Sequence, residues 1–155
     1  MSKRMLEGFK VVDFTHVVAG PHATKIMAEH GAEVIKIEPL SGELARTLPM
    51  QRDGRSAYFI QHNLGKKNMA VNIATKEGQE ICYELIKDAD VVIENFSPGV
   101  MKQHKLDWET LKAINPGLVM CSISCFGQDG PLSNLPGFDW IGQSYAGIID
   151  LLGKK

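Results

Sequence analysis

Val11-Val12-Asp13-Phe14-Thr15-His16-Val17-Val18-Ala19-Gly20-Pro21, followed after one helix-length segment by Gly31-Ala32-Glu33-Val34-Ile35-Lys36-Ile37-Glu38, decides the reading of this chain. Lys10 to Phe14 is a short apolar run with a β-branched pair, as expected of a buried strand. Pro21 suits the first turn of a helix, because it lacks only an N–H that has no partner there and its φ is already helical. From Pro21 onward Ala23, Ile26, Met27 and His30 recur at helical spacing, and Gly31 supplies a left-handed stop. Ala32 to Ile37 reads as the second strand. Strand, helix and strand of this size form a βαβ crossover, which is almost always right-handed. Its loop leaves the carboxyl end of one strand and runs into a helix N-terminus, the place where open α/β sheets take ligands and where backbone N–H groups favour anions.

The chain has 155 residues, 44% apolar and 23% charged, an ordinary globular composition. At this length folding removes roughly 70% of the extended surface from water, enough for one cored domain. No apolar run reaches the roughly 18 residues of a membrane span, and the basic Met1-Ser2-Lys3-Arg4 has no apolar segment behind it to make a secretory signal. Cys82, Cys121 and Cys125 lack zinc-ligand spacing, so neither a metal nor a structural disulfide is expected, and a cytoplasmic location fits. Net charge is −1, which gives no pull toward nucleic acid or a membrane surface. Between Leu44 and Asn68, however, Arg46, Arg52, Arg55, Lys66 and Lys67 face Asp53 alone. That segment is either the mark of a small polyanionic ligand or a solvated loop.

Pro39 to Ser56 is punctuated by Pro39, Ser41-Gly42, Pro49 and Asp53-Gly54 and is expected to be irregular. Ala57 to Asn63 reads as a helical turn with Tyr58 and Phe59 inward, and Met69 to Ile73 as a third strand showing Met69, Val71 and Ile73 on one face. Thr75 is placed to cap a helix running to about Ala89, with Ile81, Cys82, Leu85, Ile86 and Ala89 as its apolar stripe. Val91 to Ile93 is a fourth strand and is followed by the polar loop Glu94-Asn95-Phe96-Ser97-Pro98-Gly99. A short helix is expected from Val100 to Lys105. A second begins at Asp107 as N-cap, with Leu106 stapled to Leu111, and ends at Asn115-Pro116. Leu118 to Ile123 is a fifth strand; an extended chain would put Cys121 and Cys125 on one face as packing residues. After the glycine-rich turn Phe126 to Pro131, a last helix offers Trp140, Ile141, Ser144, Tyr145 and Ile148 for packing. The sum is an α/β fold: a Rossmann-like, mostly parallel sheet flanked by helices.

The usual chemical signatures are missing. There is no GxGxxG, P-loop, HExxH or Gly-x-Ser-x-Gly. Glu38 ends the second strand where a ribose-binding acid sits in NAD enzymes, but the glycines that should accompany it are not there. Of the five histidines His16 stands apart, because it lies in the strand-to-helix loop. It is a ligand contact or a loop residue bonded to backbone.

Taken together, Leu6 to Phe14, Ala19-Gly20-Pro21, Gly31 to Glu38, Asn63 with Lys66-Lys67, Ala89 to Gly99, Asn115-Pro116 and Phe126 to Pro131 resemble, in order, the family III CoA-transferases. The resemblance covers the N-terminal portion of that family, so residues 1–155 are expected to be the N-terminal part of its CoA-binding large domain. It implies coenzyme A as substrate, with contacts at His16 and Val17 after the first strand, Val71 on the third, and Asn95, Phe96 and Ser97 after the fourth. Relatives often carry basic residues where this chain has Pro39, Ala74 and Gln103. The 3′-phosphate is therefore expected to fall to Arg46, Lys66 or Lys67, or to be held more weakly.

The resemblance also implies acyl-CoA and a carboxylic acid as partners, and a homodimer interlocked like chain links. In those transferases an aspartate attacks the donor thioester and becomes an aspartyl-CoA that the acceptor acid attacks in turn. That aspartate is expected beyond Lys155, and Asp139 and Asp150 do not match it. No catalytic residue is therefore assigned here, and the chain alone is expected to be inactive. Two alternatives stand beside the transferase. One is an α-methylacyl-CoA racemase, disfavoured because Phe138 occupies the place of its proton-moving histidine. The other is a non-catalytic module that only binds CoA or pairs with a longer chain. The apolar Val18 borders the expected acyl end and disfavours a small charged acid such as oxalate.

Overall fold

A computed structural model describes residues 3–153; Met1, Ser2, Lys154 and Lys155 lie outside the described residues. The crossover forms as its sequence requires, with β1 (Lys10–Asp13), α1 (Ala19–Glu29) and β2 (Glu33–Glu38). Next come a 3-10 turn (Leu44–Arg46), β3 (Gln51–Arg52), β4 (Arg55–Ser56) and α2 (Ala57–Asn63). Then follow β5 (Lys67–Ala70), α3 (Lys76–Lys87), β6 (Val91–Glu94), α4 (Val100–Gln103), α5 (Trp108–Ile114) and β7 (Val119–Ser122). The described chain closes with α6 (Asp139–Tyr145) and α7 (Ile148–Leu151). Five strands make one parallel sheet in the order β5-β2-β1-β6-β7. The chain builds outward from β1 through β2 to β5, crosses back along α3, and lays β6 on the other side of β1. The order thus reverses between β1 and β6, which is where sheets of this kind leave a crevice at their carboxyl ends.

Alternation along β1 fills both faces of the sheet. Val12 and Phe14 join Cys82 and Ile86 of α3, Met101 of α4 and Leu111 of α5 in the main core. Val11, with Val34 and Ile93, packs beneath Met27 and Ala28 of α1. Leu106 and Leu111 are both fully buried in the main core, as the staple requires. Asn115 fastens the end of α3 by donating from Nδ2 to the carbonyls of Ile86 and Ala89 at 2.9 and 2.8 Å. Thr75 and Asp107 cap α3 and α5 through their side chains. Cys82 is a core residue whose thiol is pushed up to about 12 by burial.

Several expectations are corrected. The third strand of the parallel sheet is Lys67–Ala70 rather than Met69 to Ile73, since pairing with β2 starts at Ile35↔Lys67 and the chain turns at Asn72 to cap α3. The irregular stretch holds a small hairpin: Asp53 and Gly54, at φ 51° and 71°, make the two-residue turn that joins β3 to β4. α1 buries Gly20, Pro21 and Thr24 rather than the stripe through Ile26, because the Thr24 hydroxyl is drawn to the end of β1. Ile81 is exposed, and α3 turns Gly78, Cys82 and Ile86 inward. Of Tyr58 and Phe59 only Phe59 is buried. Cys121 and Cys125 do not share a strand face, because β7 ends at Ser122 and Ser124 opens a turn with its hydroxyl on the Gly127 carbonyl. The last helix is two short ones broken at Gly147, φ 74°, and neither buries a residue; Trp140 and Tyr145 are each 70% exposed.

One close approach sets the loop before α1. A Cβ on Gly20 would lie 2.2 Å from Thr15 Cγ2 and 2.3 Å from Thr15 Cβ. Thr15 is fully buried and bonded to Asp13, so it has no room to give. Gly20→Ala is expected to lower stability by about 1–3 kcal/mol, read as a lower denaturant midpoint with an unchanged slope; an unchanged midpoint would show that the loop is not packed this tightly.

Candidate functional site

The end of β1 is a buried polar knot. Asp13 Oδ1 accepts from the N–H and hydroxyl of Thr15 at 2.8 and 2.5 Å. Asp13 Oδ2 accepts from the Thr24 hydroxyl at 2.7 Å and from Lys66 Nζ at 2.9 Å. Lys66 also donates to the Pro21 carbonyl and to Asn63 Oδ1, at 2.9 and 2.8 Å, so its three protons are all placed. Asp13 stands in register with Lys36 on β2, and Lys36 Nζ reaches the Thr15 carbonyl at 2.6 Å. Burial would raise the Asp13 carboxyl, but Lys36 and Lys66, with the hydroxyls of Thr15 and Thr24, hold it below its ordinary 3.8. The stability this confers is present above that value and is lost as pH falls through the lower folded one.

A second carboxylate, Glu43, enters from the turn after β2 with its side chain fully buried. Its Oε2 accepts from the Val17 N–H at 3.1 Å and lies 3.5 Å from Lys36 Nζ and 3.6 Å from His16 Nδ1. Burial pushes the Glu43 carboxyl up, and Lys36 offsets that only in part. Glu38 is held differently: it takes Arg46 Nε and Nη2 at 2.6 and 2.7 Å, and the Glu43 N–H at 3.1 Å. Doubly bonded to one guanidinium, Glu38 is not free to take a ribose, which agrees with the missing dinucleotide fingerprint.

Above this knot lies a cleft of about 440 Å³, within the usual size of small-ligand sites, roughly 300–1,000 Å³. Phe14, Ile37 and Val71 make its floor, residues 39–41 and 72–74 its sides, and His16, Phe96 and His104 its rim. It therefore sits at the carboxyl ends of the strands beside the reversal in strand order. The rings of His16 and Phe96 lie 5.1 Å apart between centroids. Asn95 locks the two loops together: the His16 N–H donates to its Oδ1 at 2.7 Å, and its Nδ2 donates to the His16 carbonyl at 2.9 Å. Val17 holds φ 67°, a left-handed geometry that a β-branched residue seldom adopts.

The expected contacts divide accordingly. His16, Val71 and Phe96 line the cleft together. Val17 and Asn95 stand behind them as backbone supports. Ser97 faces a second hollow, about 690 Å³, on the far side of Phe96 between α4, α5 and β7. None of the three basic candidates lines the cleft. Lys66 is buried with all its donors engaged, and Arg46 is paired with Glu38 and stacked 3.7 Å over the Phe59 ring. Lys67 meets Glu33 at 2.5 Å, where β5 and β2 begin, at the opposite edge of the sheet. Among the residues lining the cleft, only His16 and His104 can carry positive charge. His104 and Glu43 escaped the sequence reading; the sign that could have exposed Glu43 is its place in the turn after an otherwise buried charged pair, Lys36 and Glu38.

A family model described as CoA-transferase family III matches residues 6–155. The chain belongs to CoA-transferase family III. It is 38% identical to a formyl-CoA:oxalate CoA-transferase of Streptomyces avermitilis over 97% of its own length, and 39% identical to a succinyl-CoA:glutarate CoA-transferase of Mus musculus over 99%. It spans 37% and 36% of the length of these two curated relatives. Among solved structures, a CAIB/BAIF family protein from Brucella suis superposes with a TM-score of 0.92 at 40% identity, covering 99% of this chain and 42% of that one. Family membership places the knot and the cleft in the N-terminal portion of a larger CoA-transferase architecture. Among the described residues no helix is long and apolar enough to cross a membrane, and no group of three metal-ligating side chains converges.

Two outcomes check this geometry. Lys66→Met leaves Asp13 short of one of its two cationic neighbours and is expected to cost about 3–5 kcal/mol in urea unfolding; a loss under 1 kcal/mol would mean the pair is not buried as described. The His16 ring, lowered by burial and then by Lys36, is expected to titrate below its ordinary 6.5 in an NMR pH series. It then binds fewer protons folded than unfolded, so it withdraws stability as pH falls below about 6.5. A His16 midpoint at or above 6.5 would contradict the placement.

Proposed function

We propose that the cleft beneath His16 and Phe96 binds coenzyme A, and that this chain is the CoA-binding portion of an enzyme that transfers CoA between an acyl-CoA thioester and a carboxylic acid. The single observation that carries the reading is the pairing of the His16 and Phe96 rings, 5.1 Å apart, over a cleft at the carboxyl ends of the strands in a family III member. The groups present fit the substrate's chemistry. Phe96 offers an aromatic face to the adenine or to the pantetheine arm. The apolar floor of Phe14, Ile37 and Val71 takes an uncharged part of the molecule.

The 3′-phosphate is then met by His104 and His16 rather than by Arg46, Lys66 or Lys67, whose charges are engaged elsewhere. With few cations at the rim, CoA binding should depend weakly on salt. No carboxylate lines the cleft, so the nucleophilic aspartate of the transferase reaction is not among the residues that form it. The cleft residues bind and orient the thioester; they do not attack it. Phe138, at the place of the racemase's proton-moving histidine, is 77% exposed and has no acid or base function, so the transferase reading is preferred.

Calorimetric titration of the chain with CoA tests this directly. Phe96→Ala is expected to weaken CoA binding by about tenfold or more, the usual effect of losing one aromatic face against a base, while acceptor selectivity in the whole transferase stays nearly unchanged. CoA affinity unaltered by the substitution would remove Phe96 from the site.

A further inference from the structure

We propose that Glu43 is the positioning residue of the ligand loop: through Oε2 it holds the Val17 peptide in its left-handed geometry and so keeps the His16 ring against Phe96. The inference rests on the cleft being the CoA site, and it concerns a side chain that lies outside the cleft wall.

The first observation is strain. Val17 is β-branched and sits at φ 67°. A residue of this kind stays there only where its surroundings overdetermine it, and such positions gather at ligand clamps. The peptide group between His16 and Val17 is held at its N–H by Glu43 Oε2 at 3.1 Å and at its carbonyl by Asn95 Nδ2 at 2.9 Å. Asn95 Oδ1 holds the peptide before it through the His16 N–H. The Glu43 bond is the one made on the Val17 side, and the His16 ring ends up over the cleft.

The second observation concerns the carboxylate itself. Lys36 bonds the Thr15 carbonyl at 2.6 Å and stands 3.5 Å from Glu43 Oε2, so Glu43 both balances the buried ammonium and holds the Val17 N–H. Glu43 Oε1 is buried and has no hydrogen-bond partner among the described residues. Its other oxygen lies within reach of the Val17 N–H, Lys36 and His16 at once. The backbone of Glu43 is itself anchored, since its N–H donates to Glu38, which Arg46 grips with two bonds. A chain of contacts thus runs from Arg46 through Glu38 and Glu43 to the loop that bears His16.

Three substitutions and one double variant separate this role from simple packing. Glu43→Gln keeps an oxygen acceptor for the Val17 N–H, Glu43→Ala removes it, and Glu43→Asp keeps the charge near Lys36 but draws it back from Val17. Two quantities are read: CoA affinity by calorimetry, and exchange of the Val17 amide by NMR. Glu43→Ala is expected to unprotect the Val17 amide and weaken CoA binding about tenfold, with Glu43→Gln within about threefold of the parent. In a Val17→Gly background, where φ 67° carries no side-chain penalty, removing Glu43 should cost affinity less than it does in the parent. A purely structural role would lower stability without this rescue.

Parent-like CoA affinity and Val17 exchange in Glu43→Ala would overturn the proposal. If Glu43→Ala does not fold, Glu43→Asp decides: an exposed Val17 amide supports the role and a protected one overturns it. A parent that binds no CoA, together with a Val17 amide that Glu43→Ala unprotects, overturns the CoA reading and supports the hold of Glu43 on the loop.

Discussion

One carboxylate, that of Asp13, ties together the pieces from which the rest of the fold is hung. It ends the central strand, and its two oxygens take the Thr15 backbone, the Thr15 and Thr24 hydroxyls and the Lys66 ammonium. Each partner comes from a different piece of chain: the loop, the first helix, and the turn that opens β5. Without those four bonds a charge buried in the sheet would be intolerable. With them, the direction in which the chain leaves β1 is specified, because a single arrangement of loop and helix satisfies every lone pair. Buried ionic groups of this sort contribute little net stability and more often select one conformation over its neighbours. That is the sense in which Asp13, Lys36 and Lys66 matter here.

The cleft is a consequence of that selection. Once α1 is pulled down onto Asp13 by Thr24 and pressed against Thr15 at Gly20, the loop between them has little freedom, and Val17 takes up the remaining strain. The cleft-facing ring of His16 is carried by a restrained stretch of backbone. Loops are usually the more mobile parts of a scaffold; this one is fastened at the two peptide groups that flank His16.

The alternation of apolar residues with the punctuation of Pro21, Gly31, Thr75 and Pro116 was enough to read the sheet, its parallel crossovers and the helices that cover it. Periodicity and capping are local, and local signals survive without coordinates. Errors arose where tertiary contacts overruled them. The stripe of α1 turned toward Thr24 because a hydroxyl is worth more against Asp13 than Ile26 is against solvent, and β5 ended early because Asn72 was needed at the start of the next helix. The site was half legible. His16, Val71 and Phe96 could be placed at strand ends, but the partners of Arg46, Lys66 and Lys67 could not be known from one dimension. A lysine that neutralises a core aspartate and a lysine that grips a phosphate look the same in sequence.

Asn95 carries a further consequence. Its carboxamide accepts from the N–H and donates to the carbonyl of one and the same residue, His16, across the gap between the two halves of the sheet. Only a side chain with both an N–H and a carbonyl can close such a ring, so the lips of the crevice are stitched at a constant width before anything arrives. A molecule entering there would meet two loops already tied to each other, their ordering paid during folding and not on capture.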